Sequence, residues 1–187
     1  MGTGEMAKTR AELIEMLEGL SIETTTVEHP PLFTVEDSRA VHRDVAGGHT
    51  KNLLVKDKKG TVFLIVAEAD RSIDLKGIHK VIGAQGRVSF VGAEQMEAMI
   101  GVRPGSVTAF ALINDPEHAV RLVLDEGLLL HDMVNCHPLT NEATTTIRRD
   151  DLLRFFAATG HRPLVLALDA ADEGPLVPAP PGDVETA

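Results

Sequence analysis

Two β-rich runs, residues 51–56 and 61–67, flank the turn Asp57-Lys58-Lys59-Gly60. A hairpin at that place commits the chain to an antiparallel strand pair, because so short a connection can only fold the second strand back along the first. Further strands are expected at 24–28, 87–91, 108–113, 120–124, 144–148 and 164–168. Helical patterns separate them. Thr9-Arg10-Ala11-Glu12 has the capping-box form, with Leu13, Met16, Leu17 and Leu20 following at helical spacing. Thr34 caps a short helix reaching about His42, residues 74–82 and 93–100 read as helices, and 150–159 is a helix stopped by Gly160. Strands alternating with helices predict a mixed α/β fold, a mixed sheet flanked by helices. Residues 1–169 form one domain on this reading, and the Asp/Glu/Pro/Gly-rich residues 170–187 a disordered tail.

The 187 residues, 43% of them hydrophobic, suffice for one core. No apolar run approaches the roughly 20 residues that span a bilayer, nor does an apolar stretch near the start resemble a secretory signal. One cysteine, Cys136, leaves no internal disulfide framework, and these features together predict a cytoplasmic protein. With no Trp or Tyr and six Phe, the chain lacks the usual aromatic platforms of single-strand nucleic-acid binders.

The charge is unevenly spread. The chain carries 18 basic and 28 acidic residues, a net −10. Residues 51–87 hold eight basic side chains (Lys51, Lys56, Lys58, Lys59, Arg71, Lys76, Lys80, Arg87) against four acidic ones, a local +4. A polyanion can be attracted locally because exposed charges are screened beyond about 8 Å at physiological salt. A merely solvated face is the alternative.

Three polar groups stand out within the apolar pattern. Lys51-Asn52 opens a strand. Gly101-Val102-Arg103-Pro104-Gly105-Ser106-Val107-Thr108-Ala109 is a turn whose backbone amides can approach a ligand, although it also serves as an ordinary connection. The third group, residues 131–141, packs two histidines, two asparagines and a cysteine into eleven positions. His131, Cys136 and His137 are candidate metal ligands, but their spacing matches no familiar zinc motif. A Cys136 nucleophile activated by His137 is disfavoured because neighbouring strand residues point to opposite faces. No Gly-x-Ser-x-Gly elbow or P-loop is present.

Taken in order, His29-Pro30 with Phe33-Thr34-Val35, then Lys51-Asn52-Leu53-Leu54, then residues 101–108, then Asn135, His137-Pro138, Asn141 and Thr145-Thr146 resemble the YbaK/ProX aminoacyl-tRNA editing family. The likeness spans residues 22–156 and is strongest to its free-standing prolyl-tRNA editing members, the subgroup that clears Ala from tRNA for proline. The resemblance implies a largely antiparallel, barrel-like editing domain that hydrolyses the ester of mischarged tRNA, without metal or cofactor. Its partner would be tRNA for proline, with docking on prolyl-tRNA synthetase and cleavage of Ser or Cys esters left open. Oligomeric state is left open.

Residue by residue, Lys51 matches the family's functional lysine, which would place the terminal phosphate and ribose; Asn52 and His137 match residues lining the same site, with Asn135 beside them. Gly105-Ser106-Val107-Thr108 matches most of the Gly-x-x-x-Pro loop that orients water or ribose hydroxyl, but Ala109 stands where the family usually has Pro. Gly105, Ser106, Thr108, Lys51 and His137 are thus the candidate catalytic set. Leu32, Phe33, Val45 and the loop near Ser106 would wall a pocket sized for Ala. Lys58, Lys59, Lys76, Lys80 and Arg87 would meet acceptor-stem phosphates, which give affinity without sequence reading. A non-catalytic module gripping a tRNA end in the same cleft is the competing expectation, and a metal-dependent hydrolase built on His131 and His137 a third.

Overall fold

The structure, a computed structural model, describes residues 6–168. The expected tail from 170 lies outside them. The chain orders as α1 (Arg10–Gly19), β1 (Thr24–Glu28), α2 (Val35–Asp44), β2 (Gly48–Lys56), β3 (Val62–Glu68), α3 (Ile78–Ile82), β4 (Ser89–Phe90) and α4 (Ala93–Ile100). A 3-10 helix (Ala109–Asn114), β5 (Val120–Asp125), a second 3-10 helix (Glu126–Leu130), β6 (Met133–Cys136), β7 (Ala143–Arg148), α5 (Arg149–Ala158) and β8 (Leu164–Leu166) complete it.

The eight strands form one mixed sheet in the order β1-β7-β6-β2-β3-β5-β8, with β4 also on β2. The pairs β1/β7, β6/β7, β2/β3 and β2/β4 are antiparallel, and β2/β6, β3/β5 and β5/β8 are parallel. The expected hairpin is β2/β3, in the register Lys51↔Ala67 to Lys56↔Val62. Asp57 organises its turn. One carboxylate oxygen accepts from Lys59 N (2.9 Å) and Thr61 N (3.0 Å), the other from Gln85 N (2.8 Å), and Gly60 takes the positive φ of 85° that closes it.

Period-two alternation sends the hairpin's apolar side chains into two cores. Leu54, Val62, Leu64 and Val66 join α1, α4, the first 3-10 helix and α5 through Leu13, Leu17, Met96, Phe110, Phe155 and Phe156. Leu53, Val55, Phe63, Ile65 and Ala67 face the other way, under Ile73, Ile78, Ile82 and Leu168. Helices therefore cover both faces of the sheet, and the basic residues of the α3 layer stand on its outer side.

Two expectations are corrected. Residues 108–113 are not a strand: the Thr108 hydroxyl accepts from Phe110 N (3.3 Å) and caps a 3-10 helix. That cap offers the backbone a local partner in place of a neighbouring strand. Conversely, Met133–Cys136, read only as part of a polar run, is a strand between β7 and β2.

β6 is what opens the site. It pairs with β2 only at Gly48↔Val134 and His49↔Asn135, after which β2 continues along β3 and its other edge next meets β4 at Val55 and Lys56. The two strands part at Thr50 and Cys136.

Candidate functional site

A cavity of about 360 Å³ occupies the space where β2 and β6 diverge. The residues just past the split, Thr50 and Lys51 on β2, and Cys136 and His137 leaving β6, line it together with Thr144 of β7. One face of α2 closes it with Val35, Ser38, Arg39, Val41 and His42, and the segment after β3 contributes Ala69, Asp70, Arg71 and Ser72. Leu32 adds an apolar wall. A second cavity of about 480 Å³ adjoins it through His42, His49, Ala69, Asp70 and Arg71, and is completed by Gly47, Gly48, Glu68 and His131. Gly48 has no room for a side chain, since a Cβ there would lie 2.6 Å from the His131 ring.

Lys51 is half-buried, and its ammonium donates to the Arg71 carbonyl. Burial lowers its pKa below the usual lysine value, while the carboxylates of Asp70 and Asp125 act in the opposite direction. A network behind it fixes the segment to which it is tied. Arg71 Nε donates to Asp125 Oδ2 (2.9 Å), Arg71 Nη2 to Glu68 Oε2 (3.2 Å), and His131 Nε2 lies 2.6 Å from Glu68 Oε1. Asp125 is fully buried and also accepts from the backbone of Glu68 and Gly127 (3.2 Å each).

Burial holds the histidines that line the cavity, His42, His49 and His137, toward the neutral form. His137 Nδ1 donates to the Ala143 carbonyl (3.0 Å), so in the neutral ring Nε2 is the nitrogen without a proton. Burial is the main reason its pKa falls below the ordinary histidine value. His49 donates through Nε2 to the Val45 carbonyl (2.7 Å) and stacks on His42 with centroids 4.1 Å apart. Burial first, then His49, pushes His42 down to about 4, and His49 is itself lowered by burial. His29 donates through Nδ1 to the Pro30 carbonyl (2.9 Å), so its Nε2 accepts from the Thr144 hydroxyl (2.9 Å).

A pH effect follows with a definite sign. A histidine whose folded-state pKa lies below the unfolded value of about 6.5 binds a proton more readily when unfolded, so its stabilising contribution is full above that value. It is lost as pH falls from 6.5 toward 4. We expect the thermal midpoint of the wild type to drop across that window, and His42→Asn to drop less. Parallel curves from pH 7 to pH 4.5 would remove His42 as the cause.

The expected site residues divide by position. Lys51, His137, Asn135 and Leu32 all line the cavity. Asn135 is buried and clamps the strands, donating to Ala46 O (3.0 Å) and accepting from the Thr146 hydroxyl (2.6 Å). Asn52 does not line the cavity; its Oδ1 is buried without a partner in the described structure, and its Nδ2 lies 3.4 Å from Thr50 Oγ1. Phe33 is 71% exposed and Val45 forms the C-cap of α2, so neither is a wall.

The glycine loop borders the cavity rather than lining it. Gly105 takes a φ of +88°, and a Cβ there would lie 4.0 Å from the Asn141 side-chain amide. Asn141 O in turn accepts from Leu32 N (3.4 Å) at the rim. Thr108 is fully buried, its hydroxyl occupied by the cap described above. Lys58 and Lys59 are exposed at the hairpin turn, seven residues along β2 from Lys51 and so roughly 20 Å away. Lys76, Lys80 and Arg87 are exposed on the segment that runs from the rim at Ser72 toward that turn.

Cys136 is completely buried and its thiol is pushed up to about 12, which keeps it protonated and removes it as a nucleophile near neutral pH. No group of three or more His, Cys, Asp or Glu among the described residues is arranged to hold a metal ion. No helix among them is long and apolar enough to cross a membrane. The cavity residues that sequence reasoning missed include Ser38, Arg39 and His42 on α2, His49 and Thr50 on β2, Asp70, Arg71 and Ser72 after β3, and Thr144. A helical-wheel reading would have grouped Ser38, Arg39 and His42 on one face of α2.

The model of the aminoacyl-tRNA editing domain matches residues 29–155. A zebrafish (Danio rerio) protein named prolyl-tRNA synthetase associated domain-containing protein 1 is 41% identical over 162 residues, 86% of this chain and 88% of that one. The prolyl-tRNA editing protein ProX of Acetoanaerobium sticklandii is 31% identical over 150 residues, 80% of this chain and 91% of that one. A crystal structure described as a candidate trans-editing enzyme for prolyl-tRNA synthetase superposes with a TM-score of 0.65 at 21% identity, over 88% of this chain and 99% of that one.

Proposed function

We propose, for a chain that belongs to the aminoacyl-tRNA editing-domain family, that it hydrolyses in trans the ester joining a wrong amino acid to tRNA for proline, with Ala as the amino acid removed. The observation that carries this reading is that Lys51 and His137, which match the family's functional positions, converge on one cavity at the β2/β6 split.

An aminoacyl ester is already activated, so the site's work is to position it and to stabilise the oxyanion that forms when water adds to the carbonyl. In this reading the Lys51 ammonium meets the terminal ribose and phosphate. Water forms the new bond to the carbonyl carbon and yields a proton; the acyl–oxygen bond breaks, and the ribose hydroxyl leaves with a proton. Neutral His137, with Nε2 unprotonated, is suited to handle that proton. The backbone of the loop at Gly105 and Ser106 lies next to the rim through Asn141 and supports the ribose from there. Thr108 acts by capping the helix that holds the loop. Exposed Lys58, Lys59, Lys76, Lys80 and Arg87 contact acceptor-stem phosphates along the α3 layer, and prolyl-tRNA synthetase is the enzyme whose released product is cleared.

Selection rests on bulk. A cavity distinguishes one methylene by only about 1–3 kcal/mol unless it excludes the larger group sterically, which a walled pocket does for proline's ring. The test is hydrolysis of alanyl-, cysteinyl- and prolyl-tRNA for proline by the purified protein, with and without excess chelator. Rapid alanine release that spares proline and survives the chelator is expected. Cleavage of none of the three above the uncatalysed rate would sink the reading and leave a binding module.

A further inference from the structure

Three cationic side chains, Arg39, Lys51 and Arg71, line the β2/β6 cavity, and Asp70 is the single carboxylate among its lining residues. Asp70 directly follows Ala69, whose N–H donates to the His49 carbonyl (2.8 Å), so the backbone holds it beside β2 close to Lys51. It lines the second cavity as well, and therefore stands where the two spaces meet. The neighbouring acids are committed: Asp125 to Arg71, Glu68 to Arg71 and His131. No hydrogen bond or ion pair within the described residues engages the Asp70 carboxylate, which is exposed to the cleft. His42, His49 and Lys51 line the same cavity, and the Lys51 ammonium is tied to the Arg71 carbonyl.

We infer that Asp70 receives the α-ammonium of the aminoacyl ester and makes the site select esters of free amino acids over esters whose nitrogen is blocked or absent. The inference rests on the editing reading above. An aminoacyl-tRNA terminus carries negative charge on its phosphates and one positive charge, on the α-nitrogen. A cavity in which Arg39 and Lys51 stand beside one free carboxylate matches that arrangement, the two cations toward ribose and phosphate and the carboxylate toward the ammonium. Because the ester carbonyl is bonded to the carbon bearing the nitrogen, an ammonium held on Asp70 fixes the carbonyl near Lys51 as well. A charge-assisted hydrogen bond in such a place is stronger than a neutral one.

The test compares alanyl-tRNA for proline with its lactyl counterpart, in which a hydroxyl of nearly the same size replaces the ammonium. Each rate is divided by the uncatalysed rate of the same ester, since the ammonium itself activates the carbonyl. The wild type should prefer the alanyl ester by about 10- to 100-fold in normalised kcat/KM, the span expected for a hydrogen bond to a charged group. Asp70→Asn, a nearly isosteric change at an exposed position, should erase that preference, and its circular dichroism and thermal midpoint verify folding. A wild type that cleaves both esters equally well, or a folded variant that keeps the preference, overturns the role of Asp70 while leaving editing intact. A wild type that cleaves neither overturns both.

Discussion

Replacing Lys51 by Ala lowers kcat/KM for alanyl-tRNA by about 10²- to 10³-fold, the scale of loss when one preorganised donor is taken from a hydrolase site. The effect should be large because the ammonium is held in place before substrate arrives. Its Nζ donates to the Arg71 carbonyl, and Arg71 is fixed by Asp125 and Glu68, so little reorganisation is needed during the reaction. Stability should change far less, since Lys51 is half-buried at a cavity wall and fills no part of either core. Lys51→Arg is a sharper probe. A guanidinium keeps the charge but presents a planar fork where a compact ammonium sat, so recovery should be partial at best. Full activity in a folded Lys51→Ala protein would keep the reaction and move its essential groups elsewhere.

The legible parts of the fold were those with strong local signals. The Asp57–Gly60 turn between two apolar runs specified β2/β3, and Thr9 with Glu12 specified the start of α1, where both reciprocal cap bonds are present. The run Phe110-Ala111-Leu112-Ile113 misled because a short, largely buried apolar stretch has the same composition in a strand and in a 3-10 helix. What decided it was a cap at Thr108 acting over two residues. Four-residue β6 was hidden because Asn135 and Cys136 look like surface chemistry, whereas both are buried and Asn135 spends its amide on clamping Ala46 and Thr146.

The site was legible in the same uneven way. Lys51 and His137 stood out beside glycine- or asparagine-rich sequence, but Arg39, Asp70 and Arg71 reach the cavity from elements far apart in the chain. Their convergence depends on where β2 leaves β6, a tertiary fact with no local sequence mark. Phe33 and Val45 are expected walls that carry no local mark of where their side chains go. The turn into α2 instead leaves Phe33 outside, and α2 ends at Val45.

Asp125→Ala should cost about 3 kcal/mol of stability, because removing one partner of a buried ion pair leaves the other charge poorly compensated. The low end of the usual range applies: Arg71 is 20% exposed and retains Glu68. Two backbone donors, Glu68 N and Gly127 N, lose their acceptor in the same change. For a chain of this size the thermal midpoint should fall by roughly 6–12 °C. Asp125→Asn keeps the shape and one acceptor oxygen and should recover part of the loss, which separates the charge from the packing. Activity measured well below the variant's midpoint then reports on position. If the Asp125–Arg71 pair holds the carbonyl that holds Lys51, kcat/KM falls even in fully folded protein, because the ammonium loses its anchor without leaving the site. Restored stability in Asp125→Asn with activity still depressed would tie the defect to that anchor. A variant as stable as the wild type within about 0.5 kcal/mol would show that the buried pair is offset by its desolvation, and the positioning of Lys51 would then have to come from β2 alone.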